Sequence, residues 1–209
     1  MSDDPSLDAA YALDGAEGAR RLYRDWAASY DGDFAAGQDY LLPAHVARRF
    51  IELGSSGPVL DVGAGTGLCA AGLARAGIGP IDGIDLSPEM LAVARAKGLY
   101  ARLLEADVTR PMALPQAHYR GIVSSGTFTL GHVGPEAIAG LLAYAAPEAL
   151  VVISVNVKHW DGAGFSAAFK ALAGRITPPE RQEAMIYGPA ADPAHRDDRA
   201  WLVSFRTLA

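Results

Sequence analysis

Two hydrophobic periods alternate along this chain. Short runs rich in Val, Ile and Leu occur at residues 58–62, 80–85, 99–104, 121–125 and 150–156, separated by stretches in which apolar residues return every three or four positions. The short runs predict buried strands, and the longer stretches predict amphipathic helices at 67–76, at 88–97 and from Pro135 onward. Strands of this kind alternating with helices predict an α/β fold, doubly wound, with a parallel sheet covered on both faces.

Two helices are expected ahead of the first strand. Between Ala16 and Tyr30, Leu22, Trp26 and Tyr30 fall on one face with Tyr23 beside them, and a second helix runs from about Leu41 to Leu53 and stops at Gly54. Residues 1 to about 15 are rich in Asp and Ala and are expected to fray. At the other end, a helix at 163–173 and strands near 181–188 and 200–207 follow, with a polar connector from Gly188 to Arg199 that carries Pro189 and Pro193. Residues 1–209 thus read as one domain, a helical cap at 16–54 on a core at 55–209.

Composition narrows the function classes. No apolar run approaches the ~20 residues of a membrane helix. The opening Ser2, Asp3, Asp4 and Pro5 are unlike a basic and then apolar leader, so a cytoplasmic protein is expected. The net charge of −6 comes without a Lys/Arg stripe, which argues against a nucleic-acid partner. Cys69 is the only cysteine, which excludes an internal disulfide and a cysteine metal cluster, and its Ala- and Leu-rich surroundings suit a small packing residue better than a reactive thiol.

The candidate chemistry begins at Val59-Leu60-Asp61-Val62-Gly63-Ala64-Gly65-Thr66-Gly67, where a strand meets three alternate glycines just before a helix. Such a turn lets a ligand approach bare main chain at the positive end of a helix. The next strand ends in Asp85, placed to accept both hydroxyls of a ribose. Each acid also has a plainer reading: Asp61 as a helix cap, Asp85 as a turn former. Ser87 is expected to cap the next helix, with Pro88 in its first turn. Ser124, Ser125 and Gly126 close the fourth strand at the sheet edge where open α/β folds bind ligands.

The G-x-G-x-G spacing with Asp61 ahead of it, the run Asp85-Leu86-Ser87-Pro88-Glu89-Met90-Leu91, and Asp107 in Glu105-Ala106-Asp107-Val108 together resemble the class I S-adenosylmethionine-dependent methyltransferases, over roughly residues 20 to 157. Tyr23-Arg24-Asp25-Trp26-Ala27-Ala28-Ser29-Tyr30-Asp31, Ser124 to Thr129 and Gly131-His132-Val133-Gly134-Pro135 resemble, more narrowly, the methyltransferase-like proteins named after the Williams–Beuren syndrome chromosomal region. The chain departs from that pattern at Arg120-Gly121, where many relatives carry an acid, a difference read as a surface change.

The resemblance implies a Rossmann-like seven-stranded sheet ending in an antiparallel hairpin, with S-adenosylmethionine as donor and S-adenosylhomocysteine as product. Gly63, Ala64, Gly65 and Gly67 would then receive the methionine carboxylate and Asp85 the ribose. Asp107 would meet the adenine amino group, unless it only forms a turn with Val108 and Thr109. Leu86 and Val108 would sandwich the purine, and Met90, Ser124 and Ser125 would complete the donor site. Tyr23 and Tyr30 are candidates to reach that site through their hydroxyls, or else to pack with Trp26.

Methyl transfer from a sulfonium is an in-line displacement that requires alignment and dryness but no metal. A base is needed only if the acceptor atom must lose a proton. His132, in a glycine-flanked loop beyond strand four, is the candidate, its alternative being a loop-shaping hydrogen bond. Asn156, Lys158 and Trp160 are candidates to line the acceptor pocket. The expected acceptor is a small molecule, with a protein side chain next. A nicotinamide oxidoreductase and a non-catalytic cofactor-binding module are the other readings.

Overall fold

The computed structural model describes Gly18, Arg24, Ala27 and residues 30–209. Leu22, Tyr23 and Trp26 of the first predicted helix lie outside the described residues, as does the segment expected to fray. Tyr30 opens a seven-residue π-helical segment, Tyr30–Ala36.

Helix α1 (Leu42–Glu52) buries Leu42, Val46, Ala47 and Phe50 along one stripe, and Pro43 sits in its first turn, where its missing N–H costs no hydrogen bond. Strand β1 (Val59–Val62), helix α2 (Leu68–Arg75), strand β2 (Ile81–Asp85), helix α3 (Pro88–Ala96) and strand β3 (Arg102–Glu105) follow in alternation. Strand β4 (Tyr119–Phe128), helix α4 (Glu136–Leu141) and strand β5 (Ala145–Asn156) continue it. Helices α5 (Val157–Ala163) and α6 (Phe165–Ala171) and strands β6 (Glu180–Met185) and β7 (Arg199–Arg206) close the chain.

The seven strands are ordered β3-β2-β1-β4-β5-β7-β6. The first five are parallel, while β7 lies antiparallel between β5 and β6, so the expected hairpin forms the sheet's edge. The order reverses between β1 and β4, the switch point beside which open α/β sheets leave a crevice at their carboxyl ends.

The strand period of two divides the core. Leu60, Val62, Ile122, Val151 and Ile153 pack on one face with α4, α5 and α6, and Val59, Val123, Leu150 and Val152 pack on the other with α1 and α2. A third cluster joins Ala27, Leu42, Met90, Ile186 and Tyr187, with Tyr30 and Tyr40 against it, and fastens the N-terminal segment to the sheet.

Several boundaries differ from expectation. Strand β4 continues to Phe128, through residues read as loop, because an irregularity between Ser124 and Phe128 lets the strand bend and pair again at Val155. Strand β5 begins five residues earlier, at Ala145, and the helix expected at 163–173 is α6, preceded by an unexpected helix α5 from which left-handed Gly164 (φ 80°) separates it. The Arg120-Gly121 departure is only half a surface change. Arg120 is exposed, but Gly121 is buried under the Phe50 ring, whose Cζ would lie 2.2 Å from a Cβ there. The missing side chain lets α1 pack on β4.

Candidate active site

The three alternate glycines all adopt the left-handed region, Gly63 at φ 68°, Gly65 at 53° and Gly67 at 92°. Gly63 is held close to Thr127, whose Oγ1 would lie 2.0 Å from an added Cβ. At Gly65 no atom of the described residues lies within 4 Å of where a side chain would project. One glycine therefore serves packing, and the other keeps main chain bare toward a cleft. Tyr30, Tyr40, Pro43, Gly63, Ala64, Gly65, Thr66, Leu68, Cys69 and Ser125 line that cleft. Among the described residues no side chain caps α2, which leaves its first amides facing the cleft end of the helix.

Hydrogen bonds fix the turn. Gly65 N–H donates to Asp85 Oδ2 at 2.8 Å, and Ser87 N–H donates to Asp85 Oδ1 at 2.9 Å. Burial raises the Asp85 pKa, and the amides of Ser87, Gly65 and Leu86 oppose that rise. Beneath the turn, Asp61 is 1% exposed and accepts the Tyr100 hydroxyl at 2.8 Å. Burial pushes its pKa up to about 7, against the pull of Tyr100 and with a further push from Asp85. The Tyr100 hydroxyl is held protonated, chiefly by burial and then by Asp61.

On the β4 side, Ser124 donates to the Val62 carbonyl at 2.8 Å and Thr127 to the same oxygen at 3.1 Å. Gly126 N–H donates to Ser154 Oγ at 2.9 Å. Ser125 differs from its neighbour: its Oγ is buried in the cleft wall with no hydrogen-bond partner. A buried hydroxyl without a partner costs free energy unless a ligand satisfies it.

A bare glycine turn before an uncapped helix, an acid at the next strand end and an unpaired hydroxyl opposite fit a zwitterionic nucleoside ligand. Comparisons with known proteins narrow this further. A family profile described as a methyltransferase domain matches residues 59–148. The chain is 30% identical to human Methyltransferase-like protein 27 over 186 residues, 86% of this chain and 71% of that protein. The chain belongs to the class I S-adenosylmethionine-dependent methyltransferases.

The match supports the narrower resemblance as well, and it sets the nicotinamide reading aside. A 57-residue stretch, 27% of this chain, is 44% identical to demethylmenaquinone methyltransferase of Chlorobaculum parvum, 24% of that protein. Among solved structures, a TehB-like SAM-dependent methyltransferase from Corynebacterium glutamicum shares the fold with a TM-score of 0.63 at 19% identity, over 90% of this chain and 98% of that one. The cofactor of this methyltransferase is S-adenosylmethionine.

Within the methyltransferase fold, the sequence-predicted residues divide. Gly63, Ala64, Gly65, Tyr30 and Ser125 line the cleft, with Asp85 bonded to its floor. Ser87 caps α3 by accepting the Met90 N–H at 3.2 Å, as expected, and Met90 itself is 2% exposed in the third core cluster. Asp107 stands one residue past Ala106, whose N–H donates to the Asp85 carbonyl at 2.9 Å, so the β3 exit lies beside the β2 end. The Asp107 carboxylate accepts Thr109 N–H and Oγ1 at 2.9 and 2.6 Å and pairs with Arg110. Burial pulls its pKa upward, but the Thr109 bonds and Arg110 outweigh it and the net direction is down.

His132 Nδ1 lies 3.0 Å from the Leu130 carbonyl, the loop-shaping bond weighed as its alternative. A carbonyl only accepts, so Nδ1 carries the proton and Nε2 is the basic nitrogen. Burial, with His159 nearby, lowers the His132 pKa despite Leu130.

The three residues read as acceptor-pocket lining are engaged elsewhere. Asn156 caps α5, Lys158 pairs with Asp198 at 2.8 Å, and Trp160 stacks on Phe165 and Phe169 in the core. Cys69 is 3% exposed, its thiol held protonated by burial and then by Asp61. Tyr40, Thr66, Thr127 and Tyr100 were not singled out from sequence. Of these, Tyr100 left a trace in the glycines it packs over, lying 3.1 Å from a Cβ on Gly67 and 2.7 Å from one on Gly83.

Proposed function

We propose that this methyltransferase acts on a small molecule bound beside Ser125, under a roof made by Tyr30, Tyr40 and Pro43. The observation that carries this reading is the roof itself: residues from the N-terminal segment close in on the cleft wall next to the unpaired Ser125 hydroxyl. A concave site with a few polar groups suits a compact acceptor better than a protein chain.

The cofactor, when bound, supplies an electrophilic methyl group. Gly63, Ala64, Gly65 and Gly67, with the first amides of α2, hold its amino-acid end. Asp85 keeps lone pairs for the ribose beyond those given to Gly65 and Ser87. Leu86 and Val108 would flank the purine, with Asp107 at its amino edge and Met90 packed in the core behind them. Ser124 sets the β4 end against β1, and Ser125 donates into the cleft. Tyr23 and Tyr30 come from the N-terminal segment that excludes water. His132 Nε2 takes a proton from acceptors that must lose one. Residues 16–54 act as cap and 55–209 as core of one domain, and the lone buried thiol fits a reducing cytoplasm.

The test uses the tritiated methyl donor and a cell extract fractionated by mass. Label should appear in the low-mass fraction. Label confined to proteins would contradict the small-molecule reading.

A further inference from the structure

Asp31 has no part in the chemistry above, yet it is tied to two distant segments. Its Oδ1 accepts the hydroxyl of Thr66, in the glycine turn, at 2.5 Å. Its Oδ2 accepts the Lys97 ammonium, at the C-terminal end of α3. Thr66 is 2% exposed, and the side chains of Asp31 and Lys97 are about one-third exposed, at 37% and 27%. One carboxylate thus fastens the segment carrying Tyr30, a cleft-lining residue, to the cleft floor and to the helix behind β2.

The far end of the same segment is fixed differently. Leu41 N–H donates to the Ile186 carbonyl at 2.9 Å and Gly188 N–H to the Asp39 carbonyl at 2.8 Å. Residues 39–41 are therefore sewn to 186–188 by main chain. The π-helical stretch Tyr30–Ala36, a geometry that seldom extends beyond one turn, carries Asp31 near its start and leads toward residues 39–41. Toward its N-terminal end the segment is held by side chains, through Asp31 and through Ala27 and Tyr30 in the third core cluster, so that end is the one a side-chain substitution can loosen.

We propose that Asp31, with Thr66 and Lys97, is a latch that holds the Tyr30 strap over the cleft and sets how long the cofactor stays bound. Asp31 is a positioning residue, acting through the strap and Thr66. The proposal rests on the reading of the cleft as the cofactor site, and its test separates the two.

Asp31→Ala, Asp31→Asn and Lys97→Met are compared with wild type by two measurements. The first is hydrogen exchange of amides 30–36 in cofactor-free protein. The second is S-adenosylhomocysteine dissociation by stopped flow. Asp31→Ala should speed exchange in 30–36 while β1 and β4 stay protected, and raise the dissociation rate about tenfold with a smaller change in association. Asp31→Asn keeps an acceptor for Thr66 but loses the ion pair, so it should fall between. Adding Lys97→Met to Asp31→Ala should change little further, because both remove one latch.

Unchanged exchange and dissociation in Asp31→Ala, with binding still abolished by Gly65→Val, would overturn the latch and leave the cofactor site standing. If wild type binds no S-adenosylhomocysteine, the cleft reading fails. Exchange in 30–36 then still decides whether Asp31 fastens the strap.

Discussion

The two sides of the cleft are built from different materials. Around β1 and β2 the cleft is shaped by main chain, with left-handed glycines and an uncapped helix start, braced by the Asp85 carboxylate that accepts two backbone amides. Beyond β4 and β5 stand side chains and loops, His132 held locally on Leu130 while His159 on Val133 and Lys158 on Asp198 tie segments distant in the chain. A main-chain surface is specified by where glycine stands in the sequence. A side-chain surface is specified only when the fold brings distant residues together. The first suits an invariant cofactor, and the second is free to define an acceptor.

The sharpest test of this contrast is Asp85→Ala, which removes an anchor of the main-chain side. It should weaken S-adenosylmethionine binding on the order of a thousandfold, the loss of two charge-assisted hydrogen bonds to the ligand. Calorimetry reads it, and an unchanged Kd would detach Asp85 from the ligand.

Asp61 probes the floor beneath the turn. Its folded pKa of about 7 lies above its ordinary 3.8, so its contribution to stability is full below about pH 4 and is lost as pH rises through 7. Asp61→Asn keeps an acceptor for Tyr100 without the charge. Relative to it, wild type should lose up to about 4 kcal/mol between pH 4 and pH 8 in denaturant titrations. Parallel stability profiles would show that Asp61 does not titrate in this range.

His132→Gln tests the other side. Turnover should fall about a hundredfold with the cofactor Kd unchanged. The wild-type rise in rate with pH, centred below the ordinary histidine value because burial lowers this pKa, should vanish. Equal pH profiles would leave His132 as a loop-shaping residue. The smallest effect is expected at Ser125→Ala, where no existing hydrogen bond is lost. The Tm should hold or rise slightly while cofactor or acceptor affinity falls several-fold. A lower Tm with unaltered affinities would assign Ser125 to the fold.

The legibility of this molecule follows the same division. Strand and helix order, the glycine turn, Asp85 and the Ser87 cap were readable because each is a local pattern with one physical cause. Strand β4 reads through its bend to Phe128 because pairing with β5 outweighs a glycine that looks like a loop signal. The function of Gly121 depends on Phe50, more than seventy residues earlier, so its sequence context carries no sign of it. Trp160 looked like a pocket residue by its place after β5, but α5 and α6 fold back to stack it on two phenylalanines. Tyr40, Thr66 and Asp31 meet only through the cap, and no local period marks them.

If the cleft above Gly65 holds the cofactor, filling it must abolish binding. Calorimetric titration of wild type and Gly65→Val with S-adenosylmethionine, S-adenosylhomocysteine and NAD tests it directly. Among the described residues nothing packs against the open face of Gly65, so the variant should remain folded while its branched side chain, strained at φ 53°, fills the approach to the turn. Both sulfur ligands should bind wild type, NAD should not, and binding should be lost in Gly65→Val with the Tm nearly intact. Undiminished binding in the folded variant would contradict that placement of the cofactor.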